Sequence, residues 1–157
     1  MWIYTSENEW ESISLYGSCV VQISTDHDLT FYFNNNGFWV SECNSQNPYR
    51  QILRTDKSQL VLQNGFCIET KVSKDYWVFG KKLKPKVLPL KWEDICARIN
   101  SGEWQFEIST ELHKNKTVLF EGYLGTKQKP YLLKCHLIFS FDCEIYSWNN
   151  MYEDYPL

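Results

Sequence analysis

Residues 19–33 read CVVQISTDHDLTFYF, two runs rich in β-branched and aromatic residues on either side of the polar triplet Asp26-His27-Asp28. Runs of this length and composition are typical of β-strands, and a short polar connection between two such runs indicates a turn. The segment therefore predicts an antiparallel hairpin of residues 19–23 and 29–33.

Turn signals recur on the C-terminal side of this hairpin. Asn36-Gly37 and Asn64-Gly65 readily adopt the positive φ angles that tight turns require. Strands that follow one another through such turns predict an antiparallel meander, which could form a curved sheet, a barrel or a sandwich. The predicted strands of this part of the chain cover residues 38–43, 49–54, 59–63, 66–72 and 75–80.

Residues 91–100 carry the clearest helical pattern in the chain. Four apolar side chains recur at the helical spacing i, i+3, i+4 and i+7, namely Trp92, Ile95, Cys96 and Ile99. Ser6 and Glu9 have the spacing of a capping box, so a short N-terminal helix is also considered. After residue 103 the chain returns to β-rich runs, and the predicted fold class is mainly β, or β-rich α+β.

The composition indicates one compact unit. A chain of 157 residues is short enough for one hydrophobic core, so residues 1–157 are expected to form a single domain. Aromatic residues make up 17% of the chain, and most of them are expected in a β-sheet core. The first residues lack the basic and apolar regions of a secretory leader, which favours a cytoplasmic location. In a reducing compartment the six cysteines are expected to remain free, buried thiols.

The sequence shows no motif of a known chemistry. It has neither the Gly-x-Ser-x-Gly nucleophile elbow nor the phosphate-binding glycine patterns, and its cysteines and histidines lack the paired spacings of a zinc site. Cys135 and His136 are adjacent, but adjacent side chains in a strand point to opposite faces. We therefore expect no enzyme activity, no metal and no cofactor.

The charge balance narrows the class of partner. A formal net charge of -3 gives no general attraction to phosphate backbones and disfavours a nucleic-acid partner. The lysine-rich segment 81–90 is the exception, and we interpret it as a connector. No apolar run approaches the length of a membrane-spanning helix, so no membrane partner is expected.

These exclusions favour a non-enzymatic protein-binding domain that inhibits or neutralises another protein, as an immunity protein or a phage-encoded anti-defence protein does. A mildly acidic domain suits the capture of a basic toxin or defence component. The candidate interface consists of aromatic and acidic residues expected to be exposed in turns and in the C-terminal tail. They are Trp39, Glu42, Trp148, Tyr152, Glu153, Asp154 and Tyr155.

Two alternatives stay open. A small-ligand-binding β-barrel of the lipocalin-like type would enclose an apolar cavity, lined by the rings of Phe31, Phe33, Trp77 and Phe106. A small enzyme would assemble a Cys/His or carboxylate site from residues that are distant in sequence. An enclosed cavity would favour the first alternative, and a cleft with strongly perturbed titrating groups would favour the second.

Overall fold

The computed structural model describes residues 1–153, which are mainly β. The strands, in chain order, are β1 (Tyr4–Glu7), β2 (Ile13–Ser14), β3 (Cys19–Ser24), β4 (Leu29–Phe33), β5 (Trp39–Val40), β6 (Leu53–Thr55), β7 (Ser58–Gln63), β8 (Phe66–Lys74), β9 (Trp77–Val78), β10 (Lys81–Lys82), β11 (Lys86–Leu88), β12 (Trp104–Lys114), β13 (Thr117–Thr126), β14 (Leu132–Ser140), β15 (Cys143–Trp148) and β16 (Met151–Tyr152). A 3-10 turn spans Trp10–Ser12, and helix α1 spans Trp92–Asn100.

Ten of these strands form one antiparallel sheet in the order β1-β15-β7-β4-β3-β12-β13-β14-β8-β11. Its two outer strands are not paired with each other, so the sheet is not closed into a barrel. A second sheet contains β16, β6, β5 and β2, and β9 pairs with β10 alone. The predicted mainly β class is confirmed, and of the three predicted forms the large sheet adopts the open, curved one.

The hairpin of residues 19–33 is confirmed as β3 and β4, but the simple meander beyond it is wrong. β4 pairs with β7 instead of β5, and β5 joins the four-stranded sheet. The redirection occurs at Gly37, whose φ is +47° and whose missing Cβ would lie 2.1 Å from Thr55 Oγ1. The backbone can approach β6 this closely only because Gly37 has no side chain.

The large sheet curls because one long ribbon links distant positions in it. β7 continues into β8 through Asn64-Gly65, while β14 continues into β15, and the pairs Gln63–Cys143 and Phe66–Ser140 flank these connections. The ribbon thereby joins the third and ninth strands of the sheet order. As a result the rings of Phe31 in β4 and Phe139 in β14 meet inside, with centroids 5.2 Å apart.

The core is built largely from aromatic side chains, as the composition predicted. Phe139 contacts Phe120 and Trp92 edge to face or tilted, with centroids 5.8 and 5.1 Å apart, besides its contact with Phe31. A second group centres on Phe38, whose ring lies 5.7 Å from Tyr146 and 5.8 Å from Trp148. Edge-to-face pairs of this kind add about 0.5–1.5 kcal/mol each to the stabilisation from burial.

Helix α1 is confirmed within one residue of its predicted bounds. Ile95 and Ile99 are completely buried, and Trp92 packs against the same core. At its C-terminal end the Asn100 amide accepts a hydrogen bond from the Ile23 N–H (2.7 Å) and donates one to the Ile23 carbonyl (2.8 Å), which fastens the helix to β3. No helix within residues 1–153 is long and apolar enough to cross a membrane.

The considered N-terminal helix is only the 3-10 turn Trp10–Ser12. Ser6 lies in β1, and its hydroxyl donates to Glu9 Oε2 at 2.5 Å. The Ser-x-x-Glu spacing therefore brings the two side chains into contact without starting a helix, because Ser6 is already paired with Tyr146 in the sheet.

Candidate functional site

A short hairpin projects from the edge of the large sheet, and we call residues 76–83 the arm. β9 and β10 pair antiparallel within it, and the Leu83 N–H donates to the Tyr76 carbonyl at 2.8 Å. None of the apolar residues of the arm is buried, and Phe79 at its tip is 100% exposed. Trp77, Val78 and Phe79 are consecutive exposed apolar residues, and contiguous exposed apolar surface marks interaction sites more often than single exposed residues do.

The turn at the tip of the arm has an unfavourable residue in it. Phe79 and Gly80 form a two-residue connection, with φ angles of +49° and +75°. Turns of this type favour Asn, Asp or Gly because a bulky side chain is strained at positive φ. The turn therefore holds an aromatic ring in solvent at a position where the backbone disfavours it.

The base of the arm is fixed by charge. Asp75 lies between two ammonium groups, with Oδ2 3.1 Å from Lys134 Nζ and 3.5 Å from Lys82 Nζ. The hydrogen bond from Lys134 is the main reason that the pKa of Asp75 is lowered, and the same contact raises the pKa of Lys134. These contacts tie β10 to β14 in the large sheet.

A surface groove of about 780 Å³ opens at the base of the arm. Its floor is apolar and includes Leu88, Leu90, Trp104 and Leu133, and its rim is basic, with Lys74, Arg98, Lys127 and Lys129. The acidic residue in the lining is Glu103, whose Oε2 lies 3.9 Å from Arg98 Nη1. The groove thus combines apolar contact area with a surplus of positive charge, within the range of volumes typical of binding sites.

The basic character extends along the chain that forms this region. Residues 71–91 contain seven lysines, at positions 71, 74, 81, 82, 84, 86 and 91, against one acidic residue, Asp75. In a protein with a net charge of -3, this concentration makes the arm and the groove locally basic. The sequence led us to interpret residues 81–90 as a connector. The run of aromatic residues followed by Gly-Lys-Lys, residues 77–82, was the signal that could have indicated an exposed basic hairpin.

A buried polar cluster occupies a different part of the molecule, between β12 and β15. His113 Nε2 and Glu144 Oε1 are 2.8 Å apart, with side chains 4% and 1% exposed, and the Trp10 ring stacks on His113 at 4.2 Å. Within residues 1–153, Glu144 is the hydrogen-bond partner of the His113 ring, and no serine or cysteine side chain bonds to it. The pair orients an imidazole as a general base would be oriented, but in the described part of the chain no nucleophile is bonded to it.

The cysteines are free, as predicted. Burial raises the pKa of the Cys19 thiol to about 11 and those of Cys96 and Cys135 to about 12. A thiol with a raised pKa is protonated at neutral pH and is a poor nucleophile and metal ligand. The expected burial holds fully for Cys135 alone: Cys43 is exposed, and the other four thiols are half-buried. Among residues 1–153 no group of three or more His, Cys, Asp or Glu side chains is placed to hold a metal ion.

Part of the interface predicted from the sequence does come together on the four-stranded sheet. Trp39 and Tyr152 are both in register with Arg54, one on each side of it. The Arg54 guanidinium lies over the Trp39 ring, 5.0 Å from its centroid, and the Tyr152 ring is exposed. The sequence suggested Trp39 and Tyr152 only as separate residues, and the structure joins them through Arg54 into one compact row.

The other predicted interface residues have different outcomes. Trp148 is completely buried beside Tyr4 and Phe38, so the expectation that it is exposed is wrong. Side chains alternate between the two faces of a strand, and in β15 the Trp148 side chain lies on the face that packs in the core. Glu42 and Glu153 are exposed, and Gln51 Nε2 donates to Glu153 Oε1 at 2.6 Å. Asp154 and Tyr155 lie outside the described residues.

The rings proposed to line a ligand cavity do not do so together. Phe31, Phe33 and Phe106 are completely buried in the core, whereas Trp77 is exposed on the arm. The groove is lined by a different set of residues and opens at the surface. The lipocalin-like arrangement expected from these four residues is therefore not the one adopted.

The chain matches no family model, no curated protein and no solved structure. The functional conclusion therefore depends on the residues of the arm, the groove and the four-stranded sheet.

Proposed function

We propose that this protein is a non-enzymatic protein-binding domain that inhibits or neutralises its partner by inserting the arm into it. The observation that carries the proposal is Phe79, a fully exposed aromatic residue held at positive φ at the tip of a projecting hairpin. Strain of this kind persists where the surrounding structure maintains it and is concentrated at functional positions.

The rings on the arm supply the type of contact that dominates protein interfaces. Trp77 is 65% exposed beside Phe79, and large aromatic side chains bury much area at a small cost in side-chain entropy. A narrow hairpin with an apolar tip fits a concave site on a partner. Occupation of such a site is a direct way to inhibit a protein without catalysis.

The charge of the arm determines the kind of surface it suits. Lys81 and Lys82 form β10, and Lys84 and Lys86 follow, so the contacted part of the partner is acidic in this proposal. The sequence favoured a basic toxin or defence component, attracted by the net acidity of the whole domain. The basic arm instead requires an acidic patch on a partner of that class. We place the complex in the cytoplasm, because six free thiols, one of them exposed, suit a reducing compartment.

The test is a comparison of four tagged baits in lysate of the source cells, read by mass spectrometry. The baits are the wild type, the arm variant Trp77→Ala/Phe79→Ala, the matched surface control Tyr16→Ala/Tyr49→Ala, and Trp39→Ala/Tyr152→Ala for the interface predicted from the sequence. We expect the wild type and the matched control to retain one stoichiometric partner. The arm variant should bind that partner about thirtyfold more weakly, as loss of an aromatic hot spot does.

Thermal unfolding of each bait provides the folding control, since all six substituted rings are exposed or half-buried and the melting temperature should change little. Equal retention of the partner by the arm variant and the wild type would refute insertion of the arm. If the partner is instead lost from Trp39→Ala/Tyr152→Ala alone, the interface is the row on the four-stranded sheet.

A further inference from the structure

The groove and the arm form one continuous surface. Lys74 and Tyr76 line the groove and lead directly into β9, and Leu88, which also lines it, closes β11 on the other side of the arm. A partner that encloses the arm is therefore adjacent to the groove. The inference drawn from this continuity rests on the proposed function and identifies what the groove itself binds.

We propose that the groove binds an extended acidic peptide segment of the partner. Carboxylates of the segment contact Lys74, Lys127 and Lys129 at the rim, and its apolar side chains pack on Leu88 and Leu90, the half-buried leucines of the floor. Lys127 and Lys129 are exposed, and neither has an acidic partner within residues 1–153. Lys127 and Lys129 thus place positive charge without an acidic partner beside the apolar floor, and a segment with both acidic and apolar side chains complements both.

The same geometry disfavours a nucleic acid as the occupant. Single-stranded nucleic acid binds by stacking its bases on accessible aromatic faces. In the groove the Arg98 guanidinium covers Trp104 at 4.7 Å from the ring centroid, and Lys74 Nζ covers Tyr76 at 5.0 Å. Trp104 is also only 7% exposed. Leu88 and Leu90, the half-buried leucines of the floor, are aliphatic and suit leucine-like side chains better than bases.

The test uses a short fluorescein-labelled peptide of alternating glutamate and leucine as the probe, with binding followed by fluorescence anisotropy. The comparison ligands are the corresponding glutamine–leucine peptide and an oligothymidine of similar length. The groove variant is Lys127→Glu/Lys129→Glu. The matched control, Lys57→Glu/Lys114→Glu, makes the same charge change at exposed lysines that do not line the groove.

We expect the glutamate–leucine peptide to bind the wild type and the matched control equally. Binding should be weaker by about tenfold or more for the groove variant and for the glutamine–leucine peptide, and it should weaken as salt is added. Methyl NMR signals of Leu88 and Leu90 should shift on binding. The inference is overturned by tighter binding of the oligothymidine, by equal binding to the groove variant, or by an absence of shifts at these methyl groups.

The arm variant Trp77→Ala/Phe79→Ala separates this inference from the proposed function. The peptide occupies the groove alone, so the arm variant should bind it as the wild type does. Retention of the cellular partner by the arm variant would contradict the proposed function while the peptide result still reports on the groove. Loss of peptide binding in the groove variant together with normal binding in the arm variant would support the groove as a separate subsite.

Discussion

Two hairpins in this molecule are closed by the same kind of two-residue turn and differ in almost everything else. β12 and β13 are joined through Asn115 and Lys116, whose φ angles are +46° and +59°, and the arm is joined through Phe79 and Gly80. The first hairpin has strands of 11 and 10 residues, and the second has strands of 2 residues each. A favourable turn residue, Asn115, closes the long hairpin, and an unfavourable one, Phe79, closes the short one.

The two hairpins also differ in how much buried surface stabilises them. The long hairpin buries Phe106, Ile108, Phe120 and Leu124 completely, so its stability comes from the core. The arm buries none of its apolar side chains and is held by backbone pairing and by the Asp75 contacts at its base. An isolated two-stranded hairpin is only marginally stable in water. The exposed rings of the arm add no buried contacts to it, so the stability of the fold does not explain why these rings are present.

The largest expected effect is the difference in stability loss between removing one ring from the long hairpin and removing one from the arm. Phe120→Ala should lower the free energy of unfolding by about 3–5 kcal/mol, because it leaves a cavity in the aromatic core. Phe79→Ala should change it by less than about 0.5 kcal/mol, because the ring is in solvent. Urea denaturation followed by circular dichroism measures both values. A loss of more than about 2 kcal/mol for Phe79→Ala would mean that the ring packs against the protein and is not an exposed contact.

A smaller effect follows from exchanging the turn residues. Phe79→Asn should favour the closed arm by about 1 kcal/mol, because it relieves a bulky side chain at positive φ. The Leu83 amide, which bonds to the Tyr76 carbonyl, should then exchange its hydrogen about fivefold more slowly.

The reciprocal variant Asn115→Phe should lower the free energy of unfolding by about 1 kcal/mol, since it introduces the same strain in the long hairpin. Unchanged Leu83 exchange in Phe79→Asn would show that the turn at the tip carries no strain.

The smallest expected effect concerns one carboxyl group in each region, Glu111 in β12 and Asp75 at the base of the arm. Burial is the main cause that raises the pKa of Glu111 above its ordinary 4.5, so ionised Glu111 disfavours folding near neutral pH. Glu111→Gln should therefore raise the free energy of unfolding at about pH 7, while Gln Oε1 can still accept the bond from the Leu15 N–H. This benefit should fall as the pH falls through the folded pKa of Glu111 and vanish below the unfolded one.

Asp75 should show the opposite sign. Its pKa is lowered in the folded protein, so the carboxylate stabilises the arm above its ordinary pKa of 3.8, and this contribution is lost as the pH falls through the lower folded value. Asp75→Asn should therefore be slightly destabilising at about pH 7 and should lose this effect only in stronger acid. Urea denaturation across this pH range measures both variants. Equal pH dependence of the two would contradict the assigned environments.

Local structure was largely predictable from the sequence. The hairpin of residues 19–33 and the helix near residues 91–100 follow from patterns in a single run of residues, and both formed. Pairing between strands that are distant in sequence was not predictable: β4 pairs with β7, and β7 with β15. Pairing at that distance depends on how the whole sheet curls, which no local pattern records.

Two short runs, one in the arm and one in the core, show which part of the structure is local and which part is tertiary. Trp77-Val78-Phe79 and Tyr146-Ser147-Trp148 both have aromatic residues at alternate positions, and the sequence by itself determined that each run is a strand or near one. Only the tertiary structure decided that Tyr146 and Trp148 are completely buried while Trp77 and Phe79 are exposed. Alternation specifies that two side chains share a face, but whether that face meets the core or the solvent depends on which strands lie against it.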